Sequence, residues 1–191
     1  AGLLRTLGIH ITLPEGTILR PPRQGMIVAN HISWLDIFVL NAVAPMRFVA
    51  KSEVRDWPVI GWLCLRAGTL FIERGKARDA ARINLQLTEL LAQGECLGVF
   101  PEGTTTDGDT VGHFHSSLLQ PAIDAACMVH PVALRYLDQQ GRTNKAAAYI
   151  NDVSFGRSLW QILTANPIRV SITTCLPIDA YNLERRALAQ T

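Results

Sequence analysis

Short apolar clusters alternate along this chain with longer segments in which apolar residues recur every three to four positions. That is the pattern of a mixed sheet covered by helices. Candidate strands are Met26 to Ala29, Arg47 to Ala50, Thr69 to Ile72, Cys96 to Phe100, Met128 to Arg135, Ala146 to Ile150 and Arg169 to Thr174. The clearest helix runs from Lys76 to Gln93, with Ile83, Leu87, Leu90 and Leu91 on one face and Gly94 as its stop. A second helix is expected to begin at Ser33, because Ser33 with Asp36 three residues on reads as a capping box before Ile37, Phe38, Val39 and Leu40. Pro121 should bend or interrupt a helix near Ser116 to Ala126, Asp138 to Gly141 reads as a turn, and Asn182 as the cap of a last short helix. The expectation is an α/β fold, with a mixed, largely parallel central sheet of about seven strands flanked by helices.

A length of 191 residues fits one domain, and no linker or repeat divides the chain between Arg20 and Thr174. With 48% apolar and 18% charged residues it can bury a core, and a net charge of +2 is too small to grip a nucleic-acid backbone. The longest stretch free of Asp, Glu, Lys and Arg, Thr110 to Ile123, falls short of the roughly 20 residues a membrane span needs. Cys64, Cys96, Cys127 and Cys175 stand apart in apolar surroundings without a C-x-x-C pair, as buried free thiols of a reducing compartment would. The chain starts at Ala1 without a methionine, and an anchoring segment is expected before it.

Three places could carry chemistry. Asn30-His31-Ile32-Ser33-Trp34-Leu35-Asp36 lies where a buried strand gives way to a helix, the usual position of an α/β site. Five residues of regular helix turn the direction by about 140°, so His31 must lie in the turn before the helix if it is to meet Asp36. A carboxylate there would fix the imidazole tautomer and free the other nitrogen as a general base. Phe100-Pro101-Glu102-Gly103-Thr104-Thr105-Thr106-Asp107-Gly108 follows a strand, and its glycines and hydroxyls let backbone N–H groups approach an anion. Gly68 to Arg74 ends a strand in a Glu73-Arg74 pair, where an arginine can fork onto an anion. Taken singly, each is more often a plain turn, a cap or a surface ion pair.

Taken together, Asn-His-x-Ser-x-x-Asp, Gly-x-x-Phe-Ile-x-Arg, Phe-Pro-Glu-Gly-Thr and Val129-His130-Pro131-Val132-Ala133-Leu134 resemble, in order and spacing, the four blocks of the glycerolipid acyltransferase family. Bacterial 1-acylglycerol-3-phosphate acyltransferases are the nearest resemblance, over about Gly25 to Tyr136. The resemblance implies transfer of an acyl group from acyl-CoA or acyl carrier protein to the free hydroxyl of a lysolipid, with no further cofactor and no metal. 1-Acylglycerol-3-phosphate would become phosphatidic acid. His31 would take the hydroxyl proton and Asp36 would orient the imidazole. Arg74 and the Glu102-Gly103-Thr104 turn would position the acceptor headgroup, with Lys51 contributing, while Asn30 and Ser33 would organise the turn. Two departures matter. Family members commonly continue Phe-Pro-Glu-Gly-Thr with Arg, where this chain has Thr105, and many carry Phe-Lys-x-Gly where it has Phe114-His115-Ser116-Ser117. Losing a bidentate donor weakens the case for a phosphate headgroup and makes lyso-ornithine lipid the alternative acceptor.

An amphiphilic substrate requires contact with an interface. Asp56 to Arg66 offers Trp57 and Trp62 as membrane contacts, with Arg55 and Arg66 for anionic lipid. The expected location is the cytoplasmic face of the inner (plasma) membrane, peripheral or held through the preceding segment. Among rival readings, His113-x-His115 suggests a metal-dependent hydrolase but lacks an acidic or cysteine partner at a telling distance. No Gly-x-Ser-x-Gly elbow supports a serine hydrolase. A non-catalytic lipid-binding module would tolerate replacement of His31.

Overall fold

The computed structural model describes residues 2–13, 24–57, 60–66, 68–72, 77–151, 153–165 and 167–191, with the backbone alone at 51, 72 and 77–80. Its strands are β1 (Ile9–Thr12), β2 (Gly25–Ala29), β3 (Arg47–Lys51), β4 (Leu70–Ile72), β5 (Cys96–Val99), β6 (Met128–Leu137), β7 (Ile168–Thr174) and β8 (Ile178–Asp179). They form one eight-stranded sheet in the order β1-β7-β6-β2-β5-β3-β4, with β8 also on β6. Antiparallel pairing is confined to β6 with β7 and β8; the other pairs are parallel. A mixed, largely parallel sheet is therefore what the apolar pattern predicted.

Every residue of β2 is buried. Its side chains alternate between two cores, as the pleat requires: Ile27 and Ala29 enter one, Met26 and Val28 the other. The helices α1 (Gly2–Thr6), α2 (Asp36–Val43), α3 (Ile60–Arg66) and α6 (Phe155–Thr164) cover the first face through Leu4, Leu40, Cys64 and Ile162. The second face carries α4 (Ala77–Ala92), α5 (Gln120–Asp124) and α7 (Arg185–Leu188), through Ile83, Leu87, Ala122 and Leu188.

Several boundaries differ from the sequence expectation for identifiable reasons. α4 ends one residue before the expected Gln93 and Gly94 closes it at φ +84°, while its expected start, Lys76, lies outside the described residues. Ala146 to Ile150 is no strand: Asn144 accepts the Ala146 N–H and opens a 3-10 turn, Lys145–Ala147, in an alanine run that offers no strand partner. The expected helix from Ser116 divides into a 3-10 turn, Ser116–Leu118, and α5, where Pro121 stands in the first turn and its missing N–H costs nothing. α7 starts after Glu184, while Asn182 adopts φ +60° outside it. β1, β8 and α1 are too short to leave a pattern, and α3 and α6 also lie outside the elements expected from the sequence. Of the four thiols, Cys175 is exposed rather than buried and Cys127 is half-buried.

Candidate active site

Parallel neighbours β2 and β5 deliver two loops side by side at their carboxyl ends, where open α/β sheets place ligands. The β2–β6 ladder ends at Ala29 opposite Val132. Beyond it the Asn30 side chain takes over as a strand would. Its Oδ1 accepts the Leu134 N–H at 2.7 Å, and its Nδ2 donates to the Leu134 carbonyl at 3.1 Å. The chain is thus tied down one residue before His31.

Ser33 does not open the following helix. Residues 33–35 form a turn, with the Ser33 hydroxyl accepting the Leu35 N–H at 3.3 Å, and α2 begins at Asp36 itself. The reason is the Asp36 carboxylate, which folds back over its own turn. Its Oδ2 accepts the N–H groups of Ile32 at 2.8 Å and Ser33 at 3.0 Å, and His31 Nδ1 lies 2.8 Å away. An acid at a helix start also meets the positive end of the peptide dipoles. Asp36 is wholly buried, whereas the His31 side chain keeps 21% of its surface exposed. The residue pair that the motif spacing singled out is therefore in direct contact.

Two further groups fix this pair. Tyr136 donates its hydroxyl to Asp36 Oδ1 at 2.6 Å from the buried face of β6. Burial, reinforced by the Asp36 charge, raises the Tyr136 phenol well above its usual range, so it stays a donor. Phe100 stacks on the imidazole with centroids 4.2 Å apart and planes 13° from parallel, and Phe48 lies beyond it at 5.6 Å. With Asp36 already accepting two amides and a phenol, the imidazole proton belongs on Nδ1. Nε2 is left with its lone pair.

Glu102 holds the histidine by its backbone. Its Oε1 accepts the His31 N–H at 2.6 Å and its Oε2 the Gly112 N–H at 2.7 Å, and Glu102 is only 4% exposed. Both carboxylate oxygens are engaged inside the protein, so Glu102 braces the loop that carries His31. Thr106 completes the clamp by donating its N–H to the His31 carbonyl at 2.8 Å. Gly103, at φ +65°, makes the turn that brings Glu102 inward, and Thr104 is exposed on the rim. Thr105 turns its hydroxyl to the Tyr149 carbonyl.

The remaining expected residues fare differently. Lys51 ends β3, paired with Ile72 of β4. Arg74 lies outside the described residues. Trp57 is packed edge-on against Tyr149 at 5.5 Å and tilted against Phe155 at 5.7 Å, half-buried among them because ring contacts satisfy it there. Trp62 is 57% exposed, with the Arg66 guanidinium 5.2 Å from its ring centre. His113 and His115 meet edge to face at 5.7 Å, and no His, Cys, Asp or Glu cluster able to hold a metal occurs among the described residues. Tyr136 escaped the sequence reading. Its signal was a phenol on the inward face of an apolar strand, which needs a partner for its hydroxyl.

Among known proteins, residues 10–135 match the family model described as Acyltransferase. The chain is 44% identical over 170 residues to a lyso-ornithine lipid O-acyltransferase of Pseudomonas aeruginosa, covering 88% of this chain and 65% of that protein. It is 39% identical over 165 residues to a 1-acyl-sn-glycerol-3-phosphate acyltransferase of Neisseria gonorrhoeae, covering 86% of this chain and 64% of that one. The chain thus spans just under two thirds of the length of these relatives. The crystal structure of the 1-acyl-sn-glycerophosphate acyltransferase PlsC from Thermotoga maritima has the same fold, at a TM-score of 0.67 and 24% identity over 98% of this chain and 70% of that one. With His31, Asp36 and Glu102 all inside the matched region, this chain belongs to the acyltransferase family.

Proposed function

We propose that this chain transfers a fatty acyl group from an acyl thioester, acyl-CoA or acyl carrier protein, to the free hydroxyl of a lysolipid in phospholipid biosynthesis. The observation that carries the reading is the commitment of His31 Nδ1 to Asp36, which leaves Nε2 as the free base. The acceptor hydroxyl gives its proton to Nε2 as its oxygen attacks the thioester carbonyl. Asp36 balances the imidazolium so formed. Collapse of the tetrahedral intermediate breaks the C–S bond, and the imidazolium returns its proton to the departing thiolate. No covalent acyl-enzyme forms, and no metal or further cofactor takes part.

1-Acylglycerol-3-phosphate is the first acceptor, giving phosphatidic acid. Arg74, Lys51 and the Gly103-Thr104 rim are the candidates to hold its phosphate. Lyso-ornithine lipid is the second, favoured by Thr105, whose hydroxyl turns inward where an arginine would offer a cation, and by the similarity to the Pseudomonas relative. The reaction is placed at the cytoplasmic face of the inner membrane, with Trp62 in contact with lipid. No helix among the described residues is long and apolar enough to cross a membrane. The test is thiol release from acyl-CoA or acyl carrier protein with each lysolipid. His31→Ala should lower turnover at least about 100-fold in a chain that still folds, with a melting midpoint lowered by the loss of a donor to buried Asp36. Full turnover by a folded His31→Ala protein overturns the reading and leaves the lipid-binding module.

A further inference from the structure

The helices on the α2 side of the sheet share an unusual outward surface. α3 exposes Trp62 and Leu65, three residues apart, and α6 exposes Trp160 and Leu163 at the same spacing. α1 exposes Leu3. Trp160 is 68% exposed, the most open aromatic among the described tryptophans. Residues three apart on a helix lie on one face, so each pair forms a single apolar ridge. The two ridges belong to one layer, since Trp57, just before α3, touches Phe155 at the start of α6.

Charge on these helices has one sign. α1, α3 and α6 carry Arg5, Arg66 and Arg157, all exposed, and no Asp or Glu. Arg66 and Arg157 each stand about one turn from their tryptophan, and the Arg66 guanidinium lies over the Trp62 ring. Of α2, Asp36 is buried and Ala42 is the sole exposed residue. Glu53 and Asp56, beside Arg55, sit in the 3-10 turn Ser52–Asp56 and not on a helix of this layer. The opposite layer is mixed: α4 carries Asp79 and Glu89 among its arginines, and α5 carries Asp124. Leu85 is exposed there as well, but with Glu89 one turn on.

We propose that the outward face of α1, α3 and α6 lies on an anionic lipid surface, with Trp160, Leu163 and Arg157 forming a second contact beside Trp62, Leu65 and Arg66. Tryptophan ridges flanked by arginine, without acids, match the headgroup region in both polarity and sign. A protein partner selected by apolar shape alone would not require one-signed charge. This orientation also places the start of α2, where His31 and Asp36 meet, within the layer that lies on the lipid. The inference extends the reading above, in which the acceptor is an amphiphile, but its test needs no turnover.

The test is partitioning of the chain onto vesicles of phosphatidylcholine with and without phosphatidylglycerol. Trp160→Ser with Leu163→Ser should lower partitioning onto the anionic vesicles about tenfold. Arg157→Glu should lower it about fivefold there and leave neutral vesicles unaffected. Leu85→Ser, on the other layer, should change nothing. All of these variants should keep thiol release with a water-soluble, short-chain lysolipid, which certifies their folding. Unchanged partitioning of the double variant, indifference to phosphatidylglycerol, or a smaller molecular mass of the double variant in solution, as if a second copy had covered the face, would each overturn the proposal. Absence of acyl transfer by the unsubstituted chain would instead sink the catalytic reading and leave the vesicle result standing.

Discussion

Tyr136 and Asp36 stand 100 residues apart in the chain, yet the phenol of one donates to the carboxylate of the other at 2.6 Å, with both side chains out of reach of solvent. The strand beside β2, β6, thereby steadies the acid that steadies the imidazole. Tyr136→Phe removes one donor from a buried charge, which costs about 1.5 to 3 kcal/mol. The expected outcome is a lower melting midpoint and slower acyl transfer. Asp36 then holds the imidazole with one fewer anchor of its own, so the loss should fall on kcat more than on KM. A purely structural role for Tyr136 would lower the melting midpoint and leave kcat unchanged.

The clamp on the His31 backbone can be tested at both of its ends. Glu102→Gln sets an amide NH2 against one of two backbone donors, His31 or Gly112. At Gly112 an added Cβ would lie 2.7 Å from Glu102 Oε2, so Gly112→Ala must push that carboxylate aside. Both variants should lose about 1 to 3 kcal/mol of stability and most of their thiol-release activity. Wild-type rates from either would remove Glu102 from the positioning of His31.

His130 on β6 has its pKa lowered by burial. Above about pH 6.5 it is neutral in both folded and unfolded chains and contributes no pH dependence. As pH falls below that value the unfolded chain takes up a proton that the folded one resists, so stability drops. The loss levels off once folded His130 is also protonated. Urea melts across this range should display the slope, and His130→Gln should flatten it.

Thiol chemistry should single out Cys175. It is exposed, whereas burial pushes the Cys64 and Cys127 thiols up and, with Glu95, raises Cys96 to about 11. A disulfide reagent near neutral pH should modify Cys175 first in the folded chain. Cys175→Ser should abolish that fast phase, and the buried thiols should react on unfolding.

What the sequence revealed follows where the interactions are local. α4 buries one face through Ile83, Leu87 and Leu91 and stops before a glycine, so its own side chains define it. The His31–Asp36 contact is equally local, closed within one turn. Glu102 was singled out, but its target was not, because a motif records residue types and not the amide 71 positions away that the carboxylate accepts. The same holds for Tyr136, whose partner is chosen by sheet order. Ala146 to Ile150 failed for the converse reason: small apolar residues suit a strand only where a neighbouring strand has a free edge. β1 became a strand through its parallel pairing with β7, a long-range event that its four residues do not announce.

The Asp36 carboxylate reaches Ile32 and Ser33 through their amides and not their side chains. Distance along the backbone, then, is what the H-x4-D spacing encodes: enough chain for one acid to bend over two amides and still touch the ring before them. Exchanging the aliphatic at 32 leaves both amides where they are, whereas adding or deleting a single link between 31 and 36 misaligns all of them at once. Length is what the reach of the carboxylate demands in this short stretch, while Ile32, Trp34 and Leu35 answer separately to the core they fill.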